Sequence, residues 1–181
     1  MALRETLIVS ELPRLVIVTG PPGAGKTTIA EELRARVGLP LIAKDTLKEL
    51  LGGALGIEDR PRSHQLGGIV FELIALVVKE LLEQGVSVIV EGNFTLHSTL
   101  LTGLPPAEIV QVYVSAEPET LRQRMQTRDT HRHPVHYDRE AADEVAERAA
   151  RGEWTPLPLG GRLIEIDTTL WPDLDEVLAT I

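Results

Sequence analysis

Residues 15–32 read LVIVTGPPGAGKTTIAEE, and this stretch predicts both a fold and a ligand. Four apolar residues lead into Gly20, and residues 20–27 match the pattern G-x-x-x-x-G-K-[ST] at every fixed position before a helical pattern begins. This strand–loop–helix context is that of a phosphate-binding P-loop. Its glycines let backbone N–H groups turn inwards around an anion, and the first turn of the helix adds further donors.

The P-loop predicts a nucleoside triphosphate site, and the expected ligands are ATP and Mg²⁺. Lys26 is expected to reach the β- and γ-phosphates, and the hydroxyl of Thr27 is expected to bind the metal. The loop and the residue after it form the predicted nucleotide-binding set, which is Gly20, Pro21, Pro22, Gly23, Ala24, Gly25, Lys26, Thr27 and Thr28.

Length and composition favour one globular domain over residues 1–181. Hydrophobic residues make up 43% of the chain, and the absence of cysteine excludes disulfides, thiolate zinc sites and cysteine nucleophiles. No apolar run approaches the roughly 20 residues of a membrane span. The first residues lack a small-residue cleavage site and are interpreted as mature sequence. A cytoplasmic protein without a membrane partner is therefore expected.

The charge of the chain is uneven. Its formal net charge is −9, and such a field works against binding a long polyanion, so nucleic acid is the less favoured partner. Between Arg122 and Arg139, however, lie five arginines and three histidines opposed by Asp129 and Asp138. This basic segment, residues 122–139, is a predicted lid.

Apolar runs alternate with helical patterns along the chain, which predicts a three-layer α/β/α fold around a parallel sheet. Five core strands are expected at 15–19, 40–43, 86–90, 107–114 and 162–166, with a weaker strand or arm at 6–9. Helices are expected at 26–37, 46–51, 64–84, 95–101, 117–128, 139–150 and 173–180. Glycines 52 and 53 are expected to end the second helix, and 54–63 to form a mobile connection.

Three candidate site residues fall at the carboxyl ends of different predicted strands, where ligands of such sheets bind. Gly20 follows the first strand, Asp45 the second, and Glu91 the third. Asp45 suits a carboxylate that accepts the proton of an acceptor hydroxyl, although it also suits a helix N-cap. Lys48, one helical turn further on, is a candidate for binding an anionic group of the acceptor or is a solvated lysine.

Glu91 ends a buried apolar strand, where a carboxylate is costly unless it is paired or hydrated. A role near Mg²⁺ or in acceptor binding is predicted, against the alternative of an exposed strand end. Asn93 is a candidate acceptor-binding residue or a turn residue. The segments 52–66 and 92–101 are the predicted acceptor pocket.

Arginines on the basic segment have the spacing and chemistry of a phosphate-binding lid. Arg124 and Arg128 share one helix face, and Arg132 follows in the loop. Guanidinium groups match phosphate oxygens and stabilise charge during transfer, so Arg128 and Arg132 are predicted catalytic residues alongside Lys26 and Asp45, and Arg124 and Arg128 are predicted to bind the nucleotide. Asp167 and Thr168, after the last strand, are predicted to border the base.

On these residues the chain resembles the small P-loop kinases grouped as AAA-domain-like or zeta-toxin-like kinases, which include chloramphenicol phosphotransferase, gluconate kinase and the kinase domain of polynucleotide kinases. The resemblance rests on GPPGAGKT, on KD at 44–45, EGN at 91–93, R-x-x-x-R-x-x-x-R-H-P at 124–134 and DTT at 167–169. It implies a five-stranded sheet of order 2-3-1-4-5, ATP and Mg²⁺, Asp45 as the acid that activates the acceptor hydroxyl, and Arg128 and Arg132 as lid arginines.

Two positions depart from the pattern of this group. Polynucleotide kinases usually carry D-x-x-R where this chain has Asp45-x-x-Lys48, and lysine lacks the bidentate fork of arginine. Glu91 stands where many relatives have Asp. The sequence thus favours an ATP-dependent phosphotransferase acting on a hydroxyl of a small molecule, with a 5′-hydroxyl polynucleotide kinase and a regulatory ATPase switch as alternatives.

Overall fold

Five parallel strands form one sheet in the computed structural model, which describes residues 12–128 and 133–175. In chain order they are β1 (Arg14–Thr19), β2 (Leu41–Ala43), β3 (Val88–Glu91), β4 (Glu108–Ser115) and β5 (Arg162–Asp167). Their order across the sheet is β2-β3-β1-β4-β5, as expected. The weak strand at 6–9 and most of the helix at 173–180 lie outside the described residues.

Helices connect the strands and cover both faces of the sheet. They are α1 (Lys26–Val37), α2 (Lys44–Ala54), α3 (Arg60–Glu83), a short 3₁₀ helix (Thr95–Leu101), α4 (Pro118–Arg128) and α5 (Asp138–Ala150). In the part of the chain that is described, no helix combines the length and the hydropathy needed to cross a membrane.

The central strand β1 is buried on both faces because its side chains alternate between two apolar layers. Val16 and Val18 pack with residues of α1, α4 and α5. Leu15 and Ile17 pack with residues of α3, including Val70 and Ile74. Since successive side chains of a strand point to opposite faces, a continuous apolar run is what a strand between two helical layers requires.

Two helix boundaries differ from the sequence-based expectation near the second helix. Its N-cap is Ala43, so Asp45 lies in the first turn and the N-cap interpretation of Asp45 is wrong. Glycines 52 and 53 do not end α2, which continues to Ala54. A Cβ on Gly52 would lie 2.6 Å from Cγ2 of Val135, so this glycine makes room for a distant side chain.

The expected mobile connection at 54–63 is also wrong in its second half, because α3 begins at Arg60. The side chain of Asp59 caps the helix by accepting a hydrogen bond of 2.8 Å from the backbone N–H of Arg62. Pro61 lies in the first turn, where its missing N–H costs no helical hydrogen bond. Proline therefore marks a helix start here.

Candidate active site

The register of the sheet places the candidate catalytic groups at one edge. Val18 of β1 and Ala43 of β2 each pair with Glu91 of β3, so the three strands end level with one another. Gly20 and Asp45 each follow two residues after those aligned positions. The convergence expected from the sequence is therefore present in the fold.

The loop after β1 has the backbone of a phosphate cradle. Gly20, Gly23 and Gly25 have φ values of 142°, 84° and 89°, which residues with a Cβ rarely adopt. Lys26 folds over the loop, and its Nζ donates to the carbonyl of Pro21 at 2.9 Å. The conformations of these glycines therefore give the loop its shape.

A buried threonine supports the P-loop through a hydrogen bond to its backbone. Thr168 is 0% exposed, and its Oγ1 donates to the carbonyl of Ala24 at 2.8 Å. Arg124 completes this support, because its guanidinium donates to the Thr168 carbonyl at 2.6 Å and lies 3.5 Å from the Gly23 carbonyl. Neither Asp167 nor Thr168 lines the pocket, so their predicted contact with a base stays a prediction.

Two carboxylates and two lysines meet beside the P-loop. Glu91 is 3% exposed, and its Oε2 lies 3.4 Å from the Thr27 hydroxyl. Asp45 accepts from Nζ of Lys44 at 3.0 Å. Burial is the largest cause that raises the pKa of Glu91, and the negative charge of Asp45 raises it further. The charges of Lys26 and Lys44 and the hydrogen bond from Thr27 lower it. Because the pKa of Glu91 is raised overall, the cost of burying its charge outweighs the attraction of the nearby lysines.

This burial makes stability depend on pH. Because the folded-state pKa of Glu91 lies above its ordinary 4.5, the unfolded chain releases this proton first as pH rises, and stability falls through that window. We expect Glu91→Gln to raise Tm at pH 8 and to flatten the pH dependence of Tm above pH 4.5, measured by thermal unfolding. Glu83→Gln, a change at a half-exposed side chain, is the control. An equal loss of Tm for Glu91→Gln at pH 5 and pH 8 would contradict the assigned cause.

Hard oxygen donors for Mg²⁺ are present at the same point. The Thr27 hydroxyl and the Glu91 carboxylate are adjacent, and Mg²⁺ in nucleotide sites takes one or two protein oxygens beside phosphate and water. The described residues contain no cluster of three or more His, Asp or Glu suited to holding a metal without a phosphate. The donor set fits Mg²⁺ bound together with a nucleotide.

One pocket of about 590 Å³ opens between the P-loop, α2, α3, α4 and α5. It brings together most of the residues predicted from the sequence, namely Pro22, Gly23, Gly25, Lys26, Thr27, Thr28, Asp45, Lys48, Glu91, Asn93, Arg124 and Arg128. Gly20, Pro21 and Ala24 shape the loop without lining the pocket. Arg132 lies outside the described residues, so its predicted role stays a prediction.

Lys48 reaches the pocket but is tied into the fold. It is 8% exposed, and its Nζ donates to Oγ of Ser63 at 2.7 Å and to the Val135 carbonyl at 3.3 Å. Ser63 Oγ donates to the same carbonyl at 2.6 Å. The lysine therefore joins α2, α3 and the segment before α5, and its predicted contact with an acceptor stays a prediction.

Two aromatic residues, Phe71 and Trp171, also line the pocket but were not predicted from the sequence. Phe71 and His97 stack with their ring centroids 4.3 Å apart, and Lys44 lies 5.7 Å from the Phe71 centroid. Trp171 lies against the P-loop, since its ring atoms come within 2.7 Å of the position of a Cβ on Gly25. The i, i+3, i+4 spacing of α3 is the signal for Phe71, whereas nothing local marks Trp171.

Comparisons with solved structures show the same fold. A proposed kinase from Chloroflexus aurantiacus j-10-fl is 32% identical, with a TM-score of 0.84 over 94% of this chain and 97% of that one. A gluconokinase from Sinorhizobium meliloti 1021 is 19% identical, with a TM-score of 0.53 over 93% and 89% of the two chains. The second likeness shows the fold alone.

Sequence relatives match a shorter stretch. The cytidylate kinase of Pyrobaculum neutrophilum is 29% identical over 117 residues, which are 64% of this chain and 60% of that protein. The chain thus spans about 60% of the length of the curated relatives it first matches. Residues 16–145 match the AAA domain family. The chain therefore belongs to the AAA domain family and has the fold of its small P-loop kinases.

Proposed function

We propose that this protein is a kinase that moves the γ-phosphate of ATP to a hydroxyl group of a small molecule. The observation that carries the proposal is the pair of carboxylates beside the P-loop. Glu91 lies at the Thr27 hydroxyl, and Asp45 is near enough to raise its pKa while also lining the open pocket. Phosphoryl transfer to an alcohol needs one group to serve the metal and another to serve the acceptor.

Each residue has a role that its position supports. The P-loop backbone and Lys26 bind the phosphates, and the oxygens of Thr27 and Glu91 hold Mg²⁺, which neutralises phosphate charge when bound. Asp45 accepts the proton as the acceptor oxygen bonds to the γ-phosphorus, and the bond from that phosphorus to the bridging oxygen breaks to release ADP. Arg128 lines the pocket and stabilises the charge that develops during transfer.

A nucleoside monophosphate is the second candidate acceptor, because cytidylate kinases are among the sequence relatives. A phosphate acceptor calls for cations ready to pair with it. Three cations that line the pocket are engaged by protein carboxylates: Lys44 by Asp45 at 3.0 Å, Arg60 by Glu144 at 3.2 Å and Arg148 by Glu153 at 2.8 Å. An acceptor phosphate would have to displace these carboxylates to bind the three cations, which supports the alcohol.

The test is transfer from γ-labelled ATP with Mg²⁺ across a panel of acceptors. The panel holds sugars, cyclitols, aminoglycosides, nucleosides, cytidine monophosphate and a 5′-hydroxyl oligonucleotide, and Lys26→Met serves as the inactive control. We expect labelled product from a small alcohol. Transfer only to the monophosphate or only to the oligonucleotide would replace the proposed acceptor class. Hydrolysis that no acceptor changes would favour a regulatory ATPase.

A further inference from the structure

One face of α3 forms a wall of the pocket. Its lining residues are Arg60, Ser63, His64, Gly67, Gly68 and Phe71, which follow the i, i+3, i+4 spacing of a single helix face. The face is polar at its N-terminal end, has two glycines without side chains in the middle, and ends at the aromatic ring of Phe71. At 1.5 Å per residue the face from 60 to 71 is about 16 Å long.

Neither backbone conformation nor crowding requires glycine at positions 67 and 68. Neither Gly67 nor Gly68 has a positive φ, and a Cβ on either would meet no atom within 4 Å. By contrast, a Cβ on Gly52 or Gly92 would lie within about 3 Å of side chains already in place. Glycine is also unfavourable inside a helix, because it loses more backbone freedom on folding than alanine does. The empty space beside Gly67 and Gly68 faces the pocket.

The aromatic end of this face adjoins the candidate catalytic acid. A Cβ on Gly92 would lie 3.1 Å from both Lys44 Cβ and Phe71 Cε1, so these two side chains are neighbours. Lys44 in turn holds Asp45 through its ammonium group. A molecule lying along α3 over the glycines would therefore have one end beside Phe71 and Lys44, the residue that pairs with Asp45.

Two groups at the ends of this face, His97 and Arg60, contribute little net charge. Burial lowers the pKa of His97 and the charges of His64 and Lys44 lower it further, so the imidazole stacked on Phe71 favours its neutral form. At the other end Arg60 is paired with Glu144. Asn93, on the same pocket, keeps its Oδ1 buried without a hydrogen-bond partner among the described residues, and a hydroxyl donor would satisfy it.

On the basis of the proposed kinase function, we propose that Gly67 and Gly68 determine acceptor specificity by admitting an uncharged ring flat against the backbone of α3, with its hydroxyl directed towards Asp45. Methyl groups on two successive residues would hold a flat ring away from the helix and forfeit its contacts. A narrow acyclic polyol would lose less, because it can pass beside a methyl group.

The experiment compares Gly67→Ala and Gly68→Ala with the wild type on uncharged ring acceptors (myo-inositol, glucose and uridine) and acyclic acceptors (glycerol and erythritol). We expect each variant to raise the KM for a ring acceptor by about tenfold or more, the effect of one methyl group in a pocket. The KM for ATP should not change. Tm should rise by about 2–4 °C, because alanine favours the helix.

Gly53→Ala is the matched control, since it also replaces a helical glycine. Although Gly53 belongs to the segment 52–66 predicted to form the acceptor pocket, it does not line the pocket, and a Cβ there would make only an ordinary 3.4 Å contact to His133. Its acceptor KM should stay at the wild-type value. Unchanged KM values in both pocket variants would overturn the specificity role, as would a wild type that phosphorylates only acyclic alcohols, and both results would leave the kinase function standing. A wild type that phosphorylates no alcohol would overturn the proposed acceptor class and this inference together.

Discussion

Replacing Asp45 by Asn is expected to reduce kcat for phosphoryl transfer by about 10²–10⁴-fold, the usual contribution of general base catalysis. Asparagine keeps the size of the side chain but cannot take the acceptor proton. Asp45 lies in the first turn of α2 and lines the pocket, held by the Lys44 ammonium at 3.0 Å. The measurement is steady-state transfer to the best acceptor, with the KM for ATP followed in parallel.

The KM for ATP should change little, because the P-loop and not Asp45 binds the phosphates. Asp143→Asn is the control, since the Asp143 side chain is 76% exposed and lies on the outer surface of α5. That variant should transfer phosphate at the wild-type rate. If Asp45→Asn keeps full kcat, or loses nucleotide binding and transfer together, Asp45 is not the group that activates the acceptor.

Gly20→Ala is expected to destabilise the fold by at least about 3 kcal/mol, from overpacking and backbone strain together. The φ of Gly20 is 142°, and a Cβ there would lie 1.9 Å from the carbonyl oxygen of Val114 on β4. That oxygen belongs to the backbone of a central strand, so it cannot move aside as a side chain can. Urea unfolding followed by circular dichroism measures the loss.

Gly38→Ala separates the two causes of this loss. Gly38 caps α1 with a φ of 68°, but a Cβ there would meet no atom within 4 Å. It should cost only about 1 kcal/mol of backbone strain. Equal losses for the two variants would show that the contact with Val114 contributes nothing to the requirement for glycine at position 20.

The nucleotide half of the site could be predicted because its requirements are local. The glycines of residues 20–25 need φ values that only glycine adopts easily, and the adjacent apolar run needs burial on both faces. Both constraints concern residues that are close together in the sequence. The same holds for α1, whose predicted and observed bounds agree.

The proposed acceptor half was less predictable, because the conformations and contacts of its residues depend on partners that are distant in the sequence. Gly52 suggested a helix end, yet it remains helical and makes room for Val135. Lys48 suggested a free cation, yet its amino group bonds to the carbonyl of that same residue. Residues 54–63 were predicted to form a mobile connection, yet Pro61 lies in the first turn of a helix capped by Asp59.

The sequence by itself determined where the P-loop lies and which strands build the sheet. Backbone dihedral preferences and the alternation of buried side chains both act over a few neighbouring residues. Only the tertiary structure decided which groups face one another. Thr168 donates a hydrogen bond to Ala24, Trp171 lies beside Gly25, and Gly67 and Gly68 of α3 line the pocket. Those contacts join residues from different elements. They are fixed by how the layers pack and by the register that aligns β1, β2 and β3 at one edge.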